Sequence, residues 1–209
     1  MKHSDQSPLF SVSGWELLPL PSASVRFWHK WLDDRAALAL YDHLATSLQW
    51  EQPTLTIAGK QHPIPRLQAW YGDADAIYRY SGTTFVPTPW TAELSHIRHR
   101  LEDLCGTRFN SVLANWYRHG ADGMGFHADN EPELGQQPVI ASLSLGGARR
   151  FVLKPHRELE AESFSINLGG GDLLIMSGDT QHHWRHGVPK TTRSVAPRIN
   201  LTFRQIRTL

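Results

Sequence analysis

A histidine and an aspartate separated by one residue, His127 and Asp129, are the most informative pair of potential metal ligands in the sequence. Residues two apart in an extended backbone point to the same side, so both side chains can reach one ion while Ala128 points away. A third ligand must come from elsewhere, and the C-terminal third offers His182, His183 and His186. Two histidines and one carboxylate on one side of an ion are typical of non-haem Fe(II) sites with open positions for a cosubstrate and dioxygen.

The segment Arg198–Arg204 alternates strictly between polar and apolar residues. As a β-strand it places Ile199, Leu201 and Phe203 on one face, with Arg198, Asn200, Thr202 and Arg204 on the other. The polar face either meets water or lines a barrel that holds a polar ligand, and the alternation alone fits both. In the second case the two arginines can bind carboxylates through paired hydrogen bonds. Asn115 and Tyr117, also two apart, can add neutral hydrogen bonds to the same ligand.

The composition is that of one globular domain. The 209 residues are 40% hydrophobic and include 8 Trp and 8 Phe, enough for the core of a single domain. The one cysteine, Cys105, excludes an intrachain disulfide and fits a reducing compartment. The sequence has neither the apolar run of a signal peptide nor the roughly 18 to 20 apolar residues of a membrane span. We therefore expect a cytoplasmic protein without a membrane partner.

Two amphipathic helices are predicted in the first half of the chain. The first begins at Asp33 or Asp34 and ends near Gln49. The second has Thr88 as its N-cap and ends before Gly106. Between them, residues 54–57 predict a short strand, and residues 67–82 are expected to form aromatic loops.

The region after the second helix predicts β-structure. Short runs separated by Gly, Pro or Asp are typical of a sandwich or barrel. These runs are Asn110–Tyr117, Val139–Leu145, Arg150–Leu153, Ser163–Leu168, Leu173–Met176 and Arg198–Arg204. Such a barrel would bring His127 and Asp129 back to a histidine far along the chain.

Several motifs in this order resemble the AlkB family of Fe(II)- and 2-oxoglutarate-dependent dioxygenases. The resemblance covers roughly Pro65 to the C-terminus and is strongest in the arginine strand with its six-residue spacing. The motifs are Asn115-x-Tyr117, His127-x-Asp129, the run Ile140–Gly146, the run Gly171–Met176, the run His183–Pro189 and the run Pro197–Arg204.

The resemblance implies that His127, Asp129 and His186 hold Fe(II), with His182 and His183 outside the site. It gives Arg204 the distal C5 carboxylate of 2-oxoglutarate, and it places Arg198 closer to the iron and the C1 carboxylate. Asn115 and Tyr117 would support the same cosubstrate through hydrogen bonds. Dioxygen would be the second cosubstrate.

The resemblance also implies a substrate side. Tyr78, Tyr80 and Ser81 belong to a segment similar to the family's base-recognition segment, and Glu131 corresponds to an acidic residue that helps to read a damaged base. Core packing is the alternative role for the two tyrosines, and a solvated loop position is the alternative for Glu131. Basic residues that could contact phosphates follow the Gly146-Gly147 turn, namely Arg149, Arg150, Lys154 and Arg157. A solvated hairpin is the other interpretation.

We therefore expect an α+β, mainly β fold with a double-stranded β-helix (jelly-roll) core, buttressing helices and an N-terminal nucleotide-recognition lid. Residues 1–24 would form an irregular arm and residues 25–209 one dioxygenase domain, with the lid at 53–87 and the core at 108–209. The expected function is oxidative demethylation of bases such as 1-methyladenine and 3-methylcytosine in DNA by a monomer.

Other classes of function remain open at this point. An Fe(II)/2-oxoglutarate enzyme could act instead on RNA, protein or a small molecule. A nucleic-acid-binding module without turnover has no use for three ligands and two arginines together. A Zn(II) hydrolase would need three ligands and a water, but not the paired arginines.

Overall fold

A computed structural model describes residues 14–57, 59–76, 78–80 and 83–207, with the backbone alone at residues 57, 78–80 and 83–85. The helices are α1 (Asp34–Ser47), α2 (Ala92–Cys105) and the single turn α3 (Thr180–His183), with a 3-10 turn at Pro132–Leu134. None of the helices among these residues is long and apolar enough to cross a membrane.

Both long helices begin at side-chain caps. The Asp33 carboxylate accepts a hydrogen bond from the Ala36 N–H at 2.8 Å, as the sequence predicts for the start of α1. The second helix begins three residues later than predicted, because Thr91 and not Thr88 caps it by accepting from the Leu94 N–H at 3.2 Å. The N–H of Thr88 instead donates to the Trp70 carbonyl, which ties that residue to the edge of a sheet.

The larger sheet has seven strands in the order β1-β2-β13-β10-β15-β8-β5, with antiparallel pairing throughout. Its strands are β1 (Glu16–Leu17), β2 (Ser24–Trp28), β5 (Leu67–Gly72), β8 (Ser111–Tyr117), β10 (Ile140–Gly146), β13 (Leu173–Ser177) and β15 (Arg198–Arg204). The arginine strand β15 thus lies inside the sheet, between β10 and β8.

The smaller sheet has four strands in the order β12-β11-β14-β9. They are β9 (Met124–His127), β11 (Arg149–Pro155), β12 (Phe164–Leu168) and β14 (Trp184–Val188). Two separate hairpins complete the fold in the region predicted to be the lid, one formed by β3 (Thr54–Ile57) with β4 (Lys60–Pro63) and one by β6 (Tyr78–Tyr80) with β7 (Thr83–Phe85).

The two faces of the larger sheet have different neighbours. Ile199, Leu201 and Phe203 pack with Leu44 of α1 and Leu101 of α2 in one hydrophobic cluster. The opposite face of the sheet joins the smaller sheet in a second cluster, which includes Tyr117, Met176, Phe151 and Trp184. The helices therefore buttress one sheet and the two sheets enclose the interior, which confirms the jelly-roll prediction.

The polar face of β15 is directed into this interior. Arg198, Asn200 and Thr202 are all buried, so the strand does not present these residues to water. Of the two interpretations that the alternation allowed, the structure supports a barrel interior lined by polar side chains.

Several elements were not predicted. Residues 67–72 form the edge strand β5 and not a loop, because they pair along their whole length with β8. Part of the predicted irregular arm is ordered as well, since β1 pairs with β2 and Leu18 and Leu20 are buried. Residues 1–13 lie outside the described part of the chain. The short strands β9 and β14 carry two predicted metal ligands but no alternating pattern.

Candidate active site

Three predicted ligands meet between the sheets. Candidate ligand atoms of His127, Asp129 and His186 all lie within 4.8 Å of one another. The register aligns His127 on β9 directly with His186 on β14. Asp129 follows β9, where its N–H donates to the Gln181 side-chain carbonyl at 2.9 Å. Pairing between two short strands therefore joins residues that are far apart in sequence.

The arrangement of His127 leaves one ring nitrogen directed to the cluster. Its Nδ1 lies 3.0 Å from the Gly125 carbonyl. A carbonyl can only accept, so Nδ1 carries the proton and Nε2 keeps its lone pair. Nε2 is the nitrogen that lies 3.9 Å from Asp129 Oδ1. The backbone thus selects the tautomer that a metal requires.

The protonation states of the other two ligands also favour a cation. Burial favours the protonated acid at Asp129, but Arg204 and the two histidines outweigh it and lower the pKa of this carboxyl to about 2. Burial lowers the pKa of His186 to about 3, so its imidazole is neutral at physiological pH. A carboxylate and neutral imidazoles are the forms that coordinate a metal.

A metal ion fits the remaining hydrogen-bonding capacity. Asp129 Oδ1 accepts from Arg204 Nη2 at 2.8 Å. Asp129 Oδ2 is buried, lies 3.6 Å from His186 Nε2 and has no hydrogen-bond partner among the described residues. A buried carboxylate oxygen without a partner is costly unless a cation fills the space. The donor set of two imidazoles and one carboxylate suits Fe(II).

The predicted cosubstrate residues adjoin this cluster. Asn115, Tyr117 and Arg204 line the same small cleft as His127 and His186, together with Ser142, Asn200 and Thr202 of the larger sheet. Arg198 lies deeper and is 1% exposed. Its Nη2 donates to the Ser144 hydroxyl at 2.8 Å. Within the described part of the chain its Nε and Nη1 have no partner, so an anionic ligand would complete its hydrogen bonding.

The order of the two arginines is the reverse of the prediction. Arg204, expected at the distal carboxylate, bonds directly to the metal-ligand candidate Asp129. Arg198 is six residues away along an extended strand, roughly 20 Å at about 3.3 Å per residue, and lies beside the Tyr117 ring. Strand spacing establishes that the two side chains share a face, but it does not say which end of the strand is nearer the metal.

The substrate residues are only partly described. Tyr78 and Tyr80 lie in β6, of which the backbone alone is described, and Ser81 lies outside the described residues. Glu131 precedes the 3-10 turn at Pro132. Its Oε2 is buried and has no hydrogen-bond partner among the described residues. The roles of these four residues stay predictions.

The structure changes the interpretation of other sequence features. Arg149 is buried and donates to the carbonyls of His119, Asp122 and Pro189, so it is a structural residue and not a phosphate contact. His182 lies beside Asp179, outside the ligand cluster. Burial raises the pKa of Cys105 to about 11, so its thiol is protonated at neutral pH and is a poor nucleophile.

Sequence reasoning missed four polar residues around the site. Ser142 and Ser144 accept hydrogen bonds from Asn200 and Arg198. Gln181 holds the Asp129 backbone, and Arg66 donates to Asn115. The two serines lie two apart in the run Ile140–Gly146, and this spacing could have indicated a polar stripe. Nothing local distinguishes Arg66 or Gln181.

Comparison with known proteins identifies a matching family and several relatives. Residues 24–204 match the 2OG-Fe(II) oxygenase superfamily. The DNA oxidative demethylase ALKBH2 of Mus musculus is 42% identical over 158 residues, which cover 72% of this chain and 65% of the mouse protein. The alpha-ketoglutarate-dependent dioxygenase alkB homolog 3 of Homo sapiens is 38% identical over 210 residues, which cover 97% of this chain and 72% of the human protein. The match thus spans less than two thirds of the mouse relative.

Solved structures show the same fold. The structure of OsALKBH1 matches with a TM-score of 0.64 at 16% identity and covers 91% of this chain and 99% of that chain. A 2OG-Fe(II) oxygenase family oxidoreductase from Burkholderia pseudomallei matches with a TM-score of 0.55 at 17% identity, over 88% of this chain and 85% of that chain. At these identities the likeness concerns the fold alone.

Proposed function

Because this chain belongs to the 2OG-Fe(II) oxygenase superfamily, and within it to the AlkB family, we propose that it removes N-alkyl groups oxidatively from nucleobases in DNA. 1-Methyladenine and 3-methylcytosine are the proposed substrates, and formaldehyde is released as the base is restored. The observation that carries the proposal is the cluster of half-buried His127 with buried Asp129 and His186, at a cleft lined by the polar face of β15. ALKBH2, a relative at 42% identity, is a DNA oxidative demethylase.

His127, Asp129 and His186 would hold Fe(II). When bound, Fe(II) with 2-oxoglutarate supplies activated oxygen for hydroxylation of the alkyl group. The protein's own contribution is to orient the ligands before the metal arrives. Gly125 fixes the tautomer of His127, Arg204 occupies Asp129 Oδ1, and Asp129 Oδ2 is left for the metal.

The cosubstrate site has the charge that a dicarboxylate requires. Arg198 would bind the distal carboxylate, because its guanidinium is buried and has free donors in the described part of the chain. Burial lowers the pKa of Arg198 to about 10, so it remains cationic at neutral pH. Asn115 and Tyr117 would add neutral hydrogen bonds, and Arg204 would face the carboxylate nearer the metal. Buried charges of this kind are tolerated when they are paired and hydrogen-bonded.

The target base must leave the stack to reach the metal. Extrusion costs a few kcal/mol and is least costly for a damaged or single-stranded base. We propose that Tyr78, Tyr80 and Ser81 hold the base, with stacking on a ring contributing about 1 to 3 kcal/mol. The Glu131 carboxylate suits a base that carries a positive charge when alkylated. A cytoplasmic location and a monomeric state remain predictions from sequence.

The test is formaldehyde release and succinate production from an oligonucleotide with 1-methyladenine or 3-methylcytosine, in the presence of Fe(II), ascorbate and 2-oxoglutarate. Wild-type protein should form both products in a cosubstrate-dependent manner, and Asp129→Ala should form neither because the metal loses its carboxylate. His182→Ala is the matched control and should retain activity, since His182 lies outside the cluster.

Two other outcomes have defined meanings. Succinate without base repair would contradict the proposed substrate and direct the search to RNA, protein or small molecules. Neither product from protein shown to contain iron would contradict enzymatic function and favour a binding module.

A further inference from the structure

An arginine at the base of the first lid hairpin reaches the candidate cosubstrate site. Arg66 lies between β4 and β5 and donates from Nε to Asn115 Oδ1 at 2.7 Å. Asn115 is 2% exposed and lies in the middle of β8. The same connection is held to the loop before β9, because the Gly123 N–H donates to the Pro65 carbonyl at 2.8 Å.

This hydrogen bond defines the orientation of an amide. Guanidinium groups only donate, so the atom of Asn115 that faces Arg66 must be the carbonyl oxygen. The amide Nδ2 then carries two donors away from Arg66, in a residue that lines the cleft. An amide turned the other way would place N–H against N–H and present only an acceptor. A carboxylate ligand requires the donor.

The positive charge around Arg66 also favours an anionic ligand. Among the described residues no carboxylate lies within ion-pair distance of Arg66, Arg149 or Arg198. All three arginines lie close enough to the buried Tyr117 for their charges to act against the rise in its pKa that burial causes. The neighbouring Asp122 is paired with Arg118 at 2.8 Å. Carbonyl groups hold Arg149 in place. The local excess of positive charge therefore remains for a ligand.

Building on the proposed function, we propose that Arg66 is a positioning residue for 2-oxoglutarate, which acts by fixing the Asn115 amide with Nδ2 directed to the cosubstrate. A consequence is that the lid connection and the cosubstrate site are held by one contact. Arg66 adds positive charge to the same region without occupying the position of Arg198.

The experiment measures 2-oxoglutarate binding to the Mn(II)-loaded protein by calorimetry, without any nucleic acid. Arg66→Met should weaken binding about tenfold, as expected for loss of one charge-assisted hydrogen bond. Arg66→Lys should recover part of the affinity, because an ammonium can still donate to Asn115 Oδ1. The control is Gln52→Ala, which removes the hydrogen bond that Gln52 donates to the Ile64 carbonyl in the connection before β5, but none to Asn115.

A double-variant cycle separates positioning from general damage to the fold. If Arg66 acts through Asn115, the double variant Arg66→Met with Asn115→Ala should bind no more weakly than Asn115→Ala alone. Fully additive losses, or wild-type affinity in Arg66→Met, would overturn the inference. An equal loss in Gln52→Ala would do so too, since the effect would then belong to the segment and not to the amide.

Failure of the two proposals can be told apart. Wild-type protein that binds 2-oxoglutarate but repairs no base contradicts the proposed substrate and leaves the Arg66 test valid. Wild-type protein that does not bind 2-oxoglutarate overturns the cosubstrate site, and the role of Arg66 with it.

Discussion

Asp129 accepts a charged hydrogen bond from Arg204, and the opposite end of the same strand holds Arg198. The two arginines therefore have separable tasks. Arg204 keeps a buried carboxylate ionised and oriented, whereas Nε and Nη1 of Arg198 have no hydrogen-bond partner among the described residues. Replacing either residue should give a different defect.

We expect Arg198→Met to weaken 2-oxoglutarate binding at least about 30-fold and to leave Mn(II) affinity near the wild-type value, because a buried charge partner is worth roughly 2 kcal/mol or more. Arg204→Met should weaken Mn(II) binding about 10- to 100-fold, as for loss of other groups that orient a ligand. Calorimetric titrations with metal alone and then with 2-oxoglutarate measure both effects. The opposite pattern would restore the order of arginines expected from the sequence.

The substitution Arg204→Met should also change how Mn(II) binding depends on pH. Without Arg204, burial dominates and the pKa of Asp129 rises, so a proton competes with the metal. Mn(II) binding by Arg204→Met should therefore weaken more steeply than wild type as the pH falls from about 8 to 6.

Several residues that the sequence singled out lie around one cleft, but the sequence did not predict their relative positions. Residue type and spacing were enough to select His127, Asp129 and Asn115 as candidates, because each belongs to a short local pattern. The direction of β15 relative to the metal and the approach of Arg66 depend on tertiary structure. No local sequence pattern around these arginines indicates how far each one lies from the metal-ligand cluster.

At the scale of elements, the starts and ends of helices depend on single side chains. The second helix begins at Thr91, although Thr88 followed by proline resembles a start signal as well. The backbone of Thr88 forms a β-bridge with Tyr71. Thr88 is therefore not part of the helix.

This distinction is testable by thermal unfolding. Thr91→Ala should destabilise the protein by about 1 kcal/mol, or roughly 2 to 4 °C in Tm for a domain of this size, because the Leu94 N–H loses its acceptor. Thr88→Ala is the matched control and should change stability by less than about 0.5 kcal/mol. Equal losses from both variants would contradict the assignment of the cap.

The strands that hold the metal ligands show why some elements escaped prediction. The sequence of β14, Trp184–Val188, has no period-two pattern and includes a glycine. It becomes a strand because β11 and β9 pair with it on either side. Propensity is a weak guide when pairing on both edges decides the conformation. Strands such as β10 and β13, which are buried and rich in aliphatic residues, were visible from composition alone.

At the scale of the whole molecule, charge is distributed unevenly although the net charge is only +1. With Arg149 buried, three of the basic residues near the Gly146-Gly147 turn remain as candidate phosphate contacts. Arg150 and Arg157 are exposed, and the Lys154 ammonium lies 4.1 Å from the centre of the Phe126 ring, next to His127. Lys154 also pairs across strands with Arg185, and no acid among the described residues forms an ion pair with either of them.

Reversing charge on this surface should weaken binding of single-stranded DNA and flatten its dependence on salt. For Lys154→Glu with Arg157→Glu, two lost phosphate contacts would reduce the slope of log affinity against log salt by about 1.4. Fluorescence anisotropy at several salt concentrations measures the slope. The control is Arg35→Glu on the exposed side of α1. Unchanged affinity at low salt would show that the surface does not contact DNA.

The position of β15 has a consequence for how the protein is made. This strand is the last in the described chain, yet it fills the centre of the larger sheet between β10 and β8. Its partners β8 and β10 are synthesised before it and stay unpaired on that edge until β15 is available. Long-range pairing of this kind is slow in folding. Arg198 and Arg204, which are proposed to bind the cosubstrate, are positioned by that step. A chain whose larger sheet has not closed lacks both guanidinium groups, so the proposed cosubstrate site stays incomplete until β15 pairs with β8 and β10.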